Sequence, residues 1–211
     1  MIRVLLVDDH PVVRSGYGRL LEQAGDIAIV AEAGSAEHAY AAFNLHGPDV
    51  CVTDLSLPGM GGLELLRRVV ARDDRARVLV FSMYDSAQMV RRTLDGGARG
   101  FVSKQAAPDE LVAAVRAVHA GRRYLSGNLS RRLLHSGIDE ESRRLESLSQ
   151  REFEIFRLLA QGRSSTDCAQ VLNISHKTAA NIQTRVKAKL NVSTSAALVH
   201  LALRSGIIAP G

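Results

Sequence analysis

The sequence predicts an α/β fold: a doubly wound, five-stranded parallel sheet followed by a small all-α domain. Three observations predict it. Short β-branched runs alternate with longer amphipathic runs through residue 120. After Gly121 the strand-like runs stop and only helical periodicity remains. Charge divides at the same place. Residues 1–120 hold 13 Lys and Arg against 15 Asp and Glu; residues 121–211 hold 14 against 7. A near-neutral front and a basic back point to two jobs, the second involving a polyanion.

The predicted strands are Ile2–Val7, Ile27–Ala31, Val50–Thr53, Arg77–Phe81 and Gly100–Val102. Between them lie helical patterns at Pro11–Gln23, Ala36–Leu45, Gly62–Ala71, Ser86–Asp95 and Pro108–Ala120. Pro11 and Pro108 stand where proline favours a helix start, and Ser35 and Ser86 suit N-caps. Strict alternation with short connections implies right-handed crossovers and helices on both sheet faces. Residues 122–145, rich in Arg and Ser, read as a linker with a helical piece at Ser130–His135. Four helices follow at Gln150–Gln161, Ser164–Leu172, Ser175–Leu190 and Thr194–Ser205, separated by Gly162, Asn173 and Asn191. The expected domains are 1–120, a linker over 121–146, and 147–211.

Bulk composition excludes several classes. Hydrophobic residues make up 46%, enough for packed cores, so disorder is not expected. Two cysteines, Cys51 and Cys168, sit in apolar patterns and are too few for a disulfide framework. The short apolar run before Asp8 lacks the length of a signal peptide, and no run approaches the roughly 20 residues of a membrane span. A soluble, cytoplasmic protein is expected.

The chemistry gathers at strand ends. Asp8 and Asp9 end the first strand, Asp54 the third and Ser82 the fourth, while Lys104 follows the fifth. A doubly wound sheet collects such residues at its carboxyl edge, near the topological switch point. Three close carboxylates repel one another unless a cation neutralises them. An all-oxygen site, with no His or Cys joining it, suits Mg²⁺. Beside such a cation a carboxylate can attack a phosphoryl group. Asp54 stands alone at its strand end and is the expected nucleophile. Lys104 supplies a positive charge for a phosphoryl oxygen, and the Ser82 hydroxyl a further hydrogen bond.

The segments VLLVDDHPVVRSG, VTDLSLPGMGGLELL, VLVFSMYD and GARGFVSK resemble the signature segments of response-regulator receiver domains, which have a flavodoxin-like fold. That resemblance implies Asp54 as phosphoacceptor, with Mg²⁺ held by Asp8, Asp9, Asp54 and the Ser56 carbonyl. It implies Ser82 as the switch hydroxyl, Lys104 as phosphoryl partner, and Phe101 as the aromatic that rotates inward with the switch. Many receivers carry Tyr where Phe101 stands, so this switch acts by packing alone. Ser56 and Tyr84 occupy positions that tune phosphoryl lifetime. A Mg²⁺-dependent phosphohydrolase would need a second acid where Ser56 stands.

In Ser175–Leu190, Ile182, Val186 and Leu190 recur at helical spacing and define a buried face. Lys177, Asn181, Thr184 and Ala188 point the other way; Ala180 and Arg185 flank them, and Lys187 and Lys189 lie nearer the core boundary. A small polar face bordered by cations suits a helix in a major groove. The segment 148–205 resembles the LuxR-type helix-turn-helix of FixJ/NarL-class regulators. Contact positions in that class fall here on Ala180, Asn181 and Thr184, with Lys177 and Thr178 nearby. Ala179, Ala180 and Cys168 depart from the usual Val, Lys and Ile. Glu152 and Arg163 read as structural. The last helix resembles a dimer contact, which implies a homodimer on a roughly palindromic DNA site. The whole reading is a two-component response regulator, not an enzyme, phosphorylated by a sensor histidine kinase and binding promoter DNA. The alternative is the same fold controlled without phosphate. An acyl-homoserine-lactone receptor would need aromatic cage residues, and the chain has no Trp.

Overall fold

The computed structural model describes residues 1–127, 129–130 and 140–208. They form two compact units, one of sheet and helices and one of helices alone, residues 86–89 grouping with the second.

The first unit runs β1 (Ile2–Val7), α1 (Pro11–Gln23), β2 (Ile27–Ala33), α2 (Ala36–His46), β3 (Val50–Thr53), α3 (Gly62–Arg72), β4 (Val78–Ser82), α4 (Ala87–Asp95), β5 (Gly100–Ser103), α5 (Pro108–His119) and β6 (Tyr124–Leu125). The strand order is β2-β1-β3-β4-β5-β6, with every pairing parallel. The sheet therefore has six strands, not the five expected. β6 lies inside the segment read as linker, and two residues are too few to show a period of two. The order reverses between β1 and β3, so the ends of these strands flank the switch point. Strand alternation fills both faces. Val4, Leu6, Val50, Val52, Leu79, Phe81 and Val102 pack with Leu111, Val115 and Val118 of α5. Their neighbours Leu5, Cys51, Val78, Val80 and Phe101 are buried on the opposite face. Burial pushes the Cys51 thiol up to about 12 and raises that of Cys168, so both stay protonated and unreactive.

The second unit comprises α6 (Glu140–Glu146), α7 (Gln150–Ala160), α8 (Ser165–Val171), α9 (His176–Leu190) and α10 (Ser195–Arg204). Helix α6 also lies in the segment read as linker. The acidic run Asp139–Glu141 has the composition of a loop. Yet Glu140 and Glu141 occupy a first turn and Arg143 and Arg144 a last turn, the arrangement a helix dipole favours. An Arg144–Glu140 pair at 2.6 Å supports it. The helical piece expected at Ser130–His135 falls, apart from Ser130, outside the described residues. Ser149, Ser164, Ser175 and Thr194 cap α7 to α10 through their side chains. Asn173 and Asn191 adopt left-handed φ of 52° and 54°, ending α8 and α9 where asparagine tolerates that region. Among the described residues, no helix is long and apolar enough to cross a membrane.

Candidate functional site

The switch-point topology brings the strand-end residues together. Asp54 N–H donates to the Val7 carbonyl (3.0 Å), so the end of β3 is stitched beside the β1 turn. Lys104 N–H donates to the Ser82 carbonyl (3.0 Å), stitching the end of β5 to that of β4. The Lys104 ammonium then bridges two carboxylates, Asp8 Oδ2 at 2.5 Å and Asp54 Oδ2 at 2.7 Å. The other Asp54 oxygen accepts from Ser82 Oγ at 2.6 Å and from the backbone N–H groups of Leu55 (2.6 Å) and Ser56 (3.2 Å). Asp8, Asp54 and Ser82 are buried. Burial alone would lower the Lys104 pKa, but the charges and hydrogen bonds of Asp54 and Asp8 outweigh it and raise the value. The ammonium is thus a permanent charge at the phosphoacceptor candidate.

Asp9 is half-buried, and its Oδ1 is shut off from solvent and makes no hydrogen bond, with His10 Nδ1 2.8 Å away. Two adjacent carboxylates in an enclosed turn offer the oxygen donors that a hard divalent cation takes. Asp8, Asp9 and His10 bring one ligand atom each within 4.8 Å of one another. The expectation that no histidine joins the acidic turn is therefore corrected: His10 Nδ1 lies 2.8 Å from Asp9 Oδ1 and 3.4 Å from Asp8 Oδ1. The imidazole, one residue beyond the carboxylates at the start of α1, curls back over them. Its side chain is 67% exposed, which leaves the enclosed part of the turn to oxygen.

Phe101, fully buried on β5, lies on the opposite sheet face from Phe81 of β4. The Phe81 ring lies 5.7 Å from the Lys104 ammonium and meets Tyr17 edge-on at 4.6 Å. Sequence reasoning missed Phe81; the available signal was an aromatic immediately before Ser82. It also missed Glu37 of α2, whose Oε1 accepts from Met60 N–H at 3.1 Å in the β3–α3 loop. Gly59 in that loop has φ of +71°, the left-handed region that favours glycine; a Cβ there would also meet Glu37 Oε1 at 2.8 Å, the end of a side chain that can turn aside. A third missed residue is Arg14, which donates from Nε to Glu32 Oε2 (2.9 Å) and from one terminal nitrogen to the Asp8 carbonyl (2.5 Å).

On α9 the buried face is Ala179, Ile182, Val186 and Leu190. Ala179 is fully buried, so its departure from the usual valine changes core volume and leaves the outer surface untouched. Lys177, Thr178, Asn181, Thr184 and Arg185 are exposed, and Ala180 and Lys187 are half-buried. Thr178 shares its hydroxyl with Ser175 at the N-cap (2.8 Å), and Thr184 Oγ1 donates to the Ala180 carbonyl (3.1 Å). Lys189, expected with the cations bordering the outer face, turns back instead. Its ammonium donates to Glu152 Oε2 at 2.6 Å and to the Ser147 carbonyl at 3.1 Å. Arg185 approaches the same carboxylate at 3.8 Å.

Glu152 closes a capping box with Ser149 while it holds Lys189. Burial would raise its pKa, but the hydrogen bonds from Lys189 and Ser149 prevail and lower it. A lowered carboxylate contributes stability above its unfolded pKa and loses it as pH falls through the folded value. Glu152→Ala is therefore expected to cost the helical unit about 1–2 kcal/mol near neutrality. Urea unfolding followed by far-ultraviolet dichroism checks this; the gap between variant and wild type narrows below the usual carboxylate range.

Two family models match the chain: the response regulator receiver domain over residues 4–116, and the bacterial regulatory proteins of the luxR family over residues 146–202. The transcriptional activator protein ExaE of Pseudomonas putida is 43% identical over 208 residues, 97% of each chain. Response regulator UvrY of Escherichia coli K12 is 35% identical, over 98% of this chain and 96% of its own. Among solved structures, RcsB of Salmonella enterica serovar Typhimurium, bound to a promoter in the presence of phosphomimetic BeF3⁻, matches with a TM-score of 0.76 at 28% identity. That match covers 96% of this chain and 98% of that one. A structure of two RcsB dimers bound to two parallel DNAs matches with a TM-score of 0.61 at 29% identity, over 97% and 98%.

Proposed function

Because the chain belongs to the two-component response regulators that join a receiver domain to a LuxR-type DNA-binding domain, we propose that phosphorylation of Asp54 by a sensor histidine kinase controls how the second unit binds promoter DNA. The observation that carries this is the buried Asp54 carboxylate, bonded at once to Ser82 and to Lys104, with Asp8 on the same ammonium.

An Asp54 oxygen attacks the phosphorus of the donor's phosphohistidine. The P–N bond breaks as the O–P bond forms, and the imidazole departs. Asp8, Asp9, Asp54 and the Ser56 carbonyl are the residues that would hold Mg²⁺. When bound, the cation neutralises phosphoryl oxygens and so favours attack by an anion. Lys104 moves its hydrogen bond from Asp54 to a phosphoryl oxygen, and Ser82 donates its hydroxyl to another. Phe101, already fully buried, repacks as Ser82 shifts to the phosphoryl oxygen, so the two side chains act as one element. The receiver is taken as residues 1–120 together with β6, and the DNA-binding unit as 147–211 together with α6.

In the second unit α9 is the reading helix. Asn181 and Thr184 face base edges, Lys177 and Arg185 meet phosphates, and Thr178, Ala180 and Lys187 border them. Lys189 braces α9 against α7 through Glu152. Two copies bind a roughly palindromic site, as the DNA-bound dimers of the RcsB structure favour. A partner of this kind places the protein in the cytoplasm.

The test is phosphorylation in vitro. Incubated with a small acyl phosphate and Mg²⁺, the wild-type chain gains one phosphoryl group by intact mass, and Asp54→Asn gains none. An equal gain in the variant would reject Asp54 as acceptor.

A further inference from the structure

We propose that Arg14, oriented by Glu32, is a positioning residue for the cation site, holding the Asp8–Asp9 turn in its ligating shape. The inference rests on the cation site proposed above.

The acidic turn must leave the sheet to aim two carboxylates at one point. Asp8 N–H still bonds the β2 backbone, donating to the Ala33 carbonyl at 3.1 Å. Its own carbonyl accepts from Arg14 at 2.5 Å. Arg14 sits on the first turn of α1, one turn past the carboxylates. Its Nε donates to Glu32 Oε2 on β2 at 2.9 Å. One guanidinium therefore ties together the turn after β1, the start of α1 and the edge strand of the sheet. The Arg14 side chain is 18% exposed and its Glu32 partner 41%, so the bond to the Asp8 carbonyl is the better shielded of the two.

The choice of residue follows from geometry. Arginine presents donors in a rigid fork and can serve Glu32 and the Asp8 carbonyl together; lysine, a flexible point charge, cannot hold both in fixed directions. Charge follows the same logic. An uncompensated guanidinium beside Asp8 would repel a divalent cation, and Glu32 neutralises it. Arg14 touches neither the phosphoryl group nor the cation, so it acts through the backbone of Asp8.

Groups that orient ligands around a metal typically contribute about 10- to 100-fold in affinity. Arg14→Ala in the full chain is expected to weaken Mg²⁺ binding about tenfold by calorimetry. Phosphorylation by a small acyl phosphate should then need correspondingly more Mg²⁺, while the rate at saturating Mg²⁺ stays close to that of wild type. Arg14→Lys and Glu32→Ala are expected to fall between Arg14→Ala and wild type. A merely structural role would lower the folded fraction without moving the affinity of the molecules that remain folded. Wild-type affinity in Arg14→Ala overturns the proposal. If that variant does not fold, wild-type affinity in Arg14→Lys overturns it. A wild-type chain that binds no Mg²⁺ rejects the cation site itself, and the proposal with it.

Discussion

Replacing Lys104 by Met is expected to slow phosphorylation of the chain by about 100-fold or more and to destabilise the sheet unit in metal-free buffer. The rate effect follows from charge. As Asp54 attacks, negative charge spreads over the phosphoryl oxygens in an enclosed site, and Lys104 is the fixed cation within reach. Removing one preorganised group of this kind costs about 10²–10³ in rate. The stability effect has a separate cause. The ammonium and both carboxylates it bridges are almost fully enclosed, with side-chain exposures of 9%, 5% and 5%. Deleting one member of such a set leaves buried charges unpaired, a loss of about 3 kcal/mol. Because Mg²⁺ can supply the missing positive charge, it should stabilise the variant more than wild type. Phosphorylation time courses and urea unfolding with and without Mg²⁺ measure both. A variant as stable as wild type without metal would mean that Lys104 does not hold the two carboxylates together.

Gly62→Ala is expected to have the largest effect on folding of any single methyl addition near the site. A Cβ at Gly62 would collide with the Asp54 carbonyl oxygen and lie 2.8 Å from the Leu55 Cα. Both obstacles are backbone, so no rotamer change relieves the overlap. Gly62 N–H also donates to the Leu55 carbonyl at 3.2 Å, which fixes the start of α3 against the end of β3. The methyl must push α3 away, carry Asp54 with it, or both. Overpacking usually costs about 1–3 kcal/mol, and a backbone collision belongs at or above the upper end. Denaturant unfolding gives the stability, and phosphoryl uptake reports the displacement of Asp54. Wild-type values for both would show that this approach is looser than the geometry requires.

Most of the candidate pocket was legible because each member ends or follows a strand. Asp8, Asp9, Asp54, Ser82 and Lys104 sit after β-branched runs, and a doubly wound sheet places such positions along one edge. Arg14, Glu37 and Phe81 were not legible for a common reason. Their roles depend on partners 18 and 23 residues away or across the sheet, and no local pattern encodes which partner is met. Strand β6 escaped because two residues show no alternation, and α6 because its acidic start resembles a solvated loop. Lys189 illustrates the limit of a helical wheel. The wheel set it near the core boundary among the cations expected to meet DNA, and only the packing of α7 shows that Glu152 takes it. Ala179 shows the converse: a departure from the usual valine on the reading helix belongs to the core.

If the state of Asp54 sets the DNA affinity of the second unit, a phosphate mimic at Asp54 must change that affinity. The most direct measurement is the affinity of the full chain for its promoter DNA with and without a beryllofluoride phosphate mimic plus Mg²⁺, in wild type and in Asp54→Asn. At one fixed salt concentration, the mimic should change the wild-type affinity several-fold and leave Asp54→Asn unchanged. An identical wild-type affinity in both conditions, or an equal response in the variant, would contradict the claim.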